Sequence, residues 1–271
     1  MSDPVTVSIA NGVADVRLNR PAKYNSLTAE MIKAIVATGE EMSQNHSVRA
    51  VVLSGNGPGF CAGMDMQTFK DIETKGKDVF ESTGKAFPNY FQRAAYVWKQ
   101  LSVPVIAALH GVTYGGGLQI ALCADIRLAG PDVRLSVMEI RWGVIPDMSG
   151  CQTLRDLVRL DVAKELFFSG RIVEAQEAER LGLITRICSD PVAEALAMAN
   201  EIANKSPEAI IAGKRLLEAG WHGNSLEGLM LEERLQKSLI GSPNQLEAVK
   251  ANFEKRQPEF QDPADINGVW P

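Results

Sequence analysis

Val5, Val7 and Ile9 alternate with polar residues, Asn11-Gly12 follows, and Val16 and Leu18 resume the alternation. Period-two patterning on either side of Asn-Gly predicts a β-hairpin with a type I′ turn at the start of the chain. From Thr28, a candidate N-cap, Met31, Ile32, Ile35 and Val36 recur at helical spacing to about Met42, and residues 48–53 then read as a buried strand. A Gly-rich loop spans 55–63, and a polar, charged stretch with few periodic apolar residues runs to about Lys85, its part around 70–85 expected to be a mobile loop. A helix is expected through Trp98, a strand over 103–109, a short apolar helix over 118–123 after Gly115-Gly116-Gly117, and a strand over 126–129.

Strands alternating with helices predict an α/β layer with parallel pairing in the first two thirds of the chain. After about Pro191 the pattern is helical throughout, over 193–203, 207–219, 225–239 and 243–255. The division expected is an α/β core at 1–190 that carries the site and a helical region at 191–271 that packs on a neighbouring subunit.

A chain of 271 residues that is 45% hydrophobic can bury a large core. Its net charge of −5 comes from intermixed charges with no basic block, so nucleic acid is not an expected partner. Cys61, Cys123, Cys151 and Cys188 form no C-x-x-C pair and His46, His110 and His222 are isolated, which predicts reduced thiols and no metal site. The start lacks a charged n-region, and no stretch approaches the ~20 apolar residues of a membrane span. A soluble, cytoplasmic protein with no membrane partner is expected.

Two loops are candidates for binding an anionic oxygen through backbone N–H groups. Phe60-Cys61-Ala62-Gly63-Met64-Asp65-Met66 follows a buried strand, and Gly115-Gly116-Gly117 opens a helix, where unpaired N–H groups and the dipole favour negative charge. Each alone is a weak signal, since glycine commonly marks turns without any ligand. Gly55-x-Gly57-x-Gly59 lacks both the Lys-Ser/Thr of a P-loop and dinucleotide spacing. Glu139 and Asp147 lie in apolar surroundings that raise carboxyl pKa values, as acid/base work near neutrality requires, although Asp147 is equally a candidate cap for a helix beginning near Ser149. Gln119, on the first turn after the glycines, faces either a ligand or solvent.

Together these segments resemble the crotonase superfamily, the enoyl-CoA hydratase/isomerase family, over essentially the whole chain. The likeness is carried by Leu18-Asn19-Arg20-Pro21 with Asn25-Ser26-Leu27, by residues 60–66, by His110-Gly111 through Gly115-Gly116-Gly117 to Cys123-Ala124-Asp125, and by Glu139 through Gly143-Val144-Ile145-Pro146. The resemblance implies a spiral of β-β-α units with a C-terminal all-helical trimerisation region, and a homotrimer or dimer of trimers. It implies an acyl-CoA thioester substrate, no metal and no cofactor beyond the coenzyme A of that substrate. It makes the backbone N–H groups of Met64 and Gly116 the oxyanion donors. Coenzyme A would lie near Lys23, Ala62, Asp65, Met66 and Gln67, and near Lys255.

The departure from the pattern is informative. Family hydratases place two glutamates around the attacking water, and this chain has Gln119 and Glu139 there; a glutamine cannot exchange protons at pH 7 but can orient a water or thioester. Asp147 occupies the position where dienoyl-CoA isomerases of the superfamily carry a second acid. The expectation is therefore a double-bond isomerase with Glu139 as base and Asp147 as its partner, ahead of a hydratase and of an inactive acyl-CoA-binding protein. Tyr90, Phe91, Tyr96 and Trp98 line an acyl pocket or, the plainer reading, pack the core.

Overall fold

The computed structural model describes residues 3–75 and 88–263. The hairpin forms as the alternation predicts: β1 (Val5–Ala10) and β2 (Val13–Leu18) pair antiparallel, and Asn11 and Gly12 have the two positive φ angles, 52° and 77°, of a type I′ turn. Helix α1 (Ala29–Gln44) starts where Thr28 accepts a hydrogen bond from the Met31 N–H. Strand β3 (Ala50–Gly55) follows and is buried at all six positions, as expected of a parallel strand covered on both faces.

Helix α2 (Met66–Lys75) replaces the first part of the expected loop. Its sequence is polar, but Asp65 Oδ1 accepts from the Gln67 N–H at 2.9 Å and so supplies an acidic cap. The rest of that expected loop, 76–85, lies outside the described residues. Beyond it come α3 (Tyr90–Lys99), β4 (Val105–Leu109), β5 (Val112–Tyr114), α4 (Gly116–Leu122), β6 (Ile126–Ala129) and β7 (Arg134–Ser136). A 3₁₀ turn at Glu139–Trp142 precedes α5 (Gly150–Leu157), α6 (Leu160–Ser169), β8 (Val173–Glu174), α7 (Ala175–Leu181) and β9 (Arg186–Ile187). Helices α8 (Pro191–Ala203), α9 (Pro207–His222), α10 (Ser225–Leu239) and α11 (Pro243–Glu254) complete the described chain.

One sheet runs β1-β2-β3-β4-β6-β9 and is parallel after the first hairpin; a small second sheet runs β5-β7-β8. Alternate residues of the large sheet feed two separate cores. Val16, Leu18, Val51, Leu53, Val105, Ala107 and Leu109 join α1, α3 and α4 on one face. On the other, Val13, Ala50, Val52, Ile106, Ala108 and Leu128 meet Ala195, Ala199 and Ala203 of α8. Burying Phe60, Met31 or Ile35 completely stabilises by about 1.5–3 kcal/mol each.

The expected break at residue 190 is thus not a break in packing, because α8 covers the sheet and the alanines at i, i+4 and i+8 let it approach closely. The helices beyond it pack mainly on one another, and α9 is tied back to the core by Lys214, only 8% exposed, whose Nζ donates to Asp125 Oδ2 (2.8 Å) and Val103 O (3.0 Å). Leu217, Trp221, Leu229, Met230 and Phe253 stand exposed on this helical region. Phe91 and Trp98 are core residues, in line with the plainer reading of the four aromatics.

Asn25 ties the loops above the sheet together. It is fully buried at φ 54°; its Oδ1 accepts from the Arg20 N–H, and its Nδ2 donates to the carbonyls of Asn56, Gly59 and Phe60 at 2.9–3.0 Å. Asn25→Ala strands these buried groups and places a less tolerant residue at positive φ, and should lower unfolding free energy by about 3 kcal/mol. Urea titration checks this, and a loss below about 1 kcal/mol would show that the loops hold without it.

Candidate active site

The site lies where two loops from neighbouring strands cross. After β3, residues 59–61 turn back and bind the segment after β4: the Phe60 N–H donates to His110 O (3.0 Å), Cys61 N–H to Val112 O (3.1 Å) and Tyr114 N–H to Cys61 O (3.0 Å). A Cβ at Gly117 would run into Cys61 O, and one at Gly63, where φ is 87°, would lie 2.8 Å from Tyr114 O. The glycines are what allow this approach. The Cys61 thiol is pushed up to about 12 by burial and is packing rather than a nucleophile.

Met64 and Gly116, one from each side of the crossing, both line a cavity of about 440 Å³. Neither backbone N–H has an acceptor among the described residues; the first bond of α4 is Gln119 N–H to Gly115 O, so Gly116 precedes it. Two unpaired donors from two loops can hold an oxygen that gains negative charge.

Glu139 and Asp147 line the same cavity. Glu139 is 8% exposed; its Oε1 accepts from Gln119 Nε2 at 2.7 Å, and its Oε2 is buried with no hydrogen-bond partner among the described residues. Burial is the main cause that raises its pKa and the Asp147 charge adds to it, against the backbone N–H groups of Glu139 and Met138 and the hydrogen bond from Gln119. Asp147 is half-buried and raised by desolvation. It does not cap α5: Ser149 holds the N-cap position at φ 74°, without a side-chain cap bond. Gln119, 3% exposed, does that work, its Oε1 accepting from the N–H groups of Met148 (2.8 Å) and Gly150 (2.9 Å). Gln119 lines the same cavity with its amide bound on both sides by protein, to Glu139 through Nε2 and to the Met148 and Gly150 N–H groups through Oε1.

Of the residues expected around coenzyme A, Lys23, Ala62, Asp65 and Met66 line the cavity, with Lys23 exposed at its mouth. The Asp65 carboxylate is occupied: Arg20 Nη1 lies 2.6 Å from Oδ2, Ser26 Oγ donates to the same oxygen at 3.1 Å, and Arg20 holds its pKa below the usual range. Gln67 and Lys255 do not line the cavity. Gln67 sits on the first turn of α2, and Lys255 is exposed at φ 54° at the end of α11, in the helical region of this chain. Phe69, Met138, Trp142 and Val144 form an apolar wall that the sequence patterning did not single out, with Phe69 and Trp142 rings 6.1 Å apart.

The sequence matches the enoyl-CoA hydratase/isomerase family over residues 8–263. YngF of Bacillus subtilis, described as an enoyl-CoA hydratase/isomerase, is 33% identical over 96% of this chain and 99% of its own length. The human mitochondrial methylglutaconyl-CoA hydratase is 30% identical over 92% of this chain and 74% of its own. The crystal structure of an enoyl-CoA hydratase from Bacillus anthracis superposes with a TM-score of 0.87 at 28% identity, covering 96% of this chain and 100% of that one. With its crossed loops and crotonase fold, the chain belongs to the enoyl-CoA hydratase/isomerase family, whose members act on acyl-CoA thioesters.

A carboxyl whose folded pKa is raised stabilises the fold fully below its unfolded pKa, and that stability is lost as pH rises through the folded value. Glu139→Gln should therefore raise the melting temperature at pH 8 relative to wild type and leave it nearly unchanged at pH 4. Calorimetry at the two pH values checks the sign; a lower melting temperature at pH 8 would mean that the ionised carboxylate is favourably held.

Proposed function

We propose that the protein is a double-bond isomerase of enoyl- or dienoyl-CoA thioesters. What carries the reading is that Glu139 and Asp147, two acids raised by burial, line the same cavity as the Met64 and Gly116 donors, while the family's other acid position is the neutral, protein-bound Gln119. The two N–H groups hold the thioester oxygen as it becomes an enolate. Glu139 takes a proton from C2, the electron pair delocalises along the unsaturated chain, and Asp147 returns a proton farther along. One proton leaves and one arrives, so the reading asks for no metal or redox group. The apolar wall of Phe69, Met138, Trp142 and Val144 suits the hydrocarbon part of the acyl group.

Hydration is the second reading, and the names of the relatives favour it: those of Bacillus anthracis and human mitochondria are called hydratases. There Glu139 and Asp147 would flank a water. A cytoplasmic homotrimer or dimer of trimers belongs to either reading, supported by the exposed apolar residues on α9–α11 and by four free cysteines.

Parallel assays of a 2-trans-enoyl-CoA and a 3,5-dienoyl-CoA separate the two. Isomerisation predicts appearance of a 2,4-dienoyl chromophore without loss of the conjugated enoyl-CoA, and Glu139→Gln and Asp147→Asn should each lower kcat by about 10²–10⁴-fold. Hydration alone, unaffected by Asp147→Asn, would reject the isomerase.

A further inference from the structure

We propose that Gln119 is a positioning residue whose amide is held in one orientation by the Met148 and Gly150 N–H groups, so that it always donates to Glu139 Oε1 and leaves Oε2 as the proton-carrying oxygen. The inference rests on Glu139 being an acid/base group, as in the reading above, but not on which reaction it serves.

A carboxamide's two ends usually look alike, and its orientation is set by what it meets. Here the choice is forced. Two backbone donors converge on one end, which must be the oxygen, so the nitrogen must face Glu139. A nitrogen cannot accept a proton from Glu139, so Oε1 stays an acceptor in both protonation states. Oε2 has no partner among the described residues, and the proton gained or given belongs there. The same amide replaces the missing cap of α5 and fixes the backbone on the far side of Asp147, so one side chain sets both acids relative to the Gly116 donor three residues before it. Space supports this fixed fit: a Cβ at Gly150 would come 2.9 Å from Gln119 Oε1, and one at Gly115 3.4 Å from Glu139 Oε1.

The charged groups around Glu139 are few. Among the described residues, Arg141 lies on the same 3₁₀ turn, Lys23, Asp65 and Asp147 line the same cavity, and Asp65 is paired with Arg20. Helix α6, packed against the 3₁₀ turn, carries Asp161, Lys164 and Glu165, of which Asp161 meets Arg159 and Glu165 meets Arg171. Helix α4 brings no charge of its own.

Gln119→Glu and Gln119→Met test the proposal with whichever acyl-CoA the wild type turns over. In Q119E one carboxylate oxygen can still accept from Met148 and Gly150, but the other faces Glu139 Oε1 and the pair must share a proton. The acid limb of the kcat–pH profile should then move up by about one pH unit, because a base that must be ionised now loses its proton later. In Q119M both the clamp and the cap are gone, and kcat should fall roughly 10- to 100-fold while KM changes less than about threefold. An unmoved acid limb in Q119E overturns the proposal, as does a rise confined to KM in Q119M, which would mean that Gln119 contacts substrate. If Q119M does not fold, Q119E decides alone. If the wild type turns over neither thioester, the functional reading fails, and difference infrared titration of the Glu139 carboxyl against the matching Glu139→Gln variants still measures the Q119E shift directly.

Discussion

The crossing of the 59–64 loop with the 111–117 segment is the constraint from which the rest of the site follows. The second segment contains β5, and two backbone hydrogen bonds join it to the first, with a third from the Phe60 N–H to His110 O just before it, while Leu27 N–H to Gly63 O and Asp65 N–H to Leu27 O lace in the chain before α1. An approach this close leaves no room for side chains at Gly63 and Gly117, which is why glycine stands there. The N–H groups of Met64 and Gly116, each following a glycine at positive φ, are left without an acceptor among the described residues in the lining of one cavity. Pre-set donors of this kind need no reorganisation when charge develops.

The carboxylates follow the opposite rule. Backbone donors work by what they lack, an acceptor, whereas the two acids are tuned by what surrounds them: burial raises both, the Asp147 charge adds to the rise at Glu139, and a neutral amide stands where a third carboxylate would have pushed Glu139 further. Holding such groups costs folding free energy at neutral pH, offset by the two-sided core of the sheet. The site and the scaffold therefore pull in different directions, and the well-packed alternation of β2, β3 and β4 is what lets the scaffold carry it.

Much of this was legible in the chain. The hairpin at Asn11-Gly12, the Thr28 cap and the strand at 126–129 are local signals with local causes, and the structure reproduces them. The acids and the two glycine loops were legible as chemistry, and the resemblance joined them. Helix α2 was not, because its sequence is mostly polar and its start is marked by a capping carboxylate, Asp65, rather than by periodic apolar residues. Nor was the part played by Gln119: its partners lie 20, 29 and 31 residues away, and no spacing rule reaches that far. The apolar wall of Phe69 and Trp142 is likewise a product of tertiary placement, drawn from a polar helix and a 3₁₀ turn.

Helix α8 has a consequence for how the protein is made. Among the described residues, the face of the sheet formed by Val13, Val52, Ile106 and Leu128 takes its cover from α8 at residues 191–203, so a nascent chain that has already paired its strands still presents a greasy surface until that helix emerges from the ribosome. The first two thirds of the protein are therefore dependent on a chaperone-like service performed by their own downstream sequence, and synthesis that stalls before residue 203 would release a sticky intermediate rather than a smaller working core.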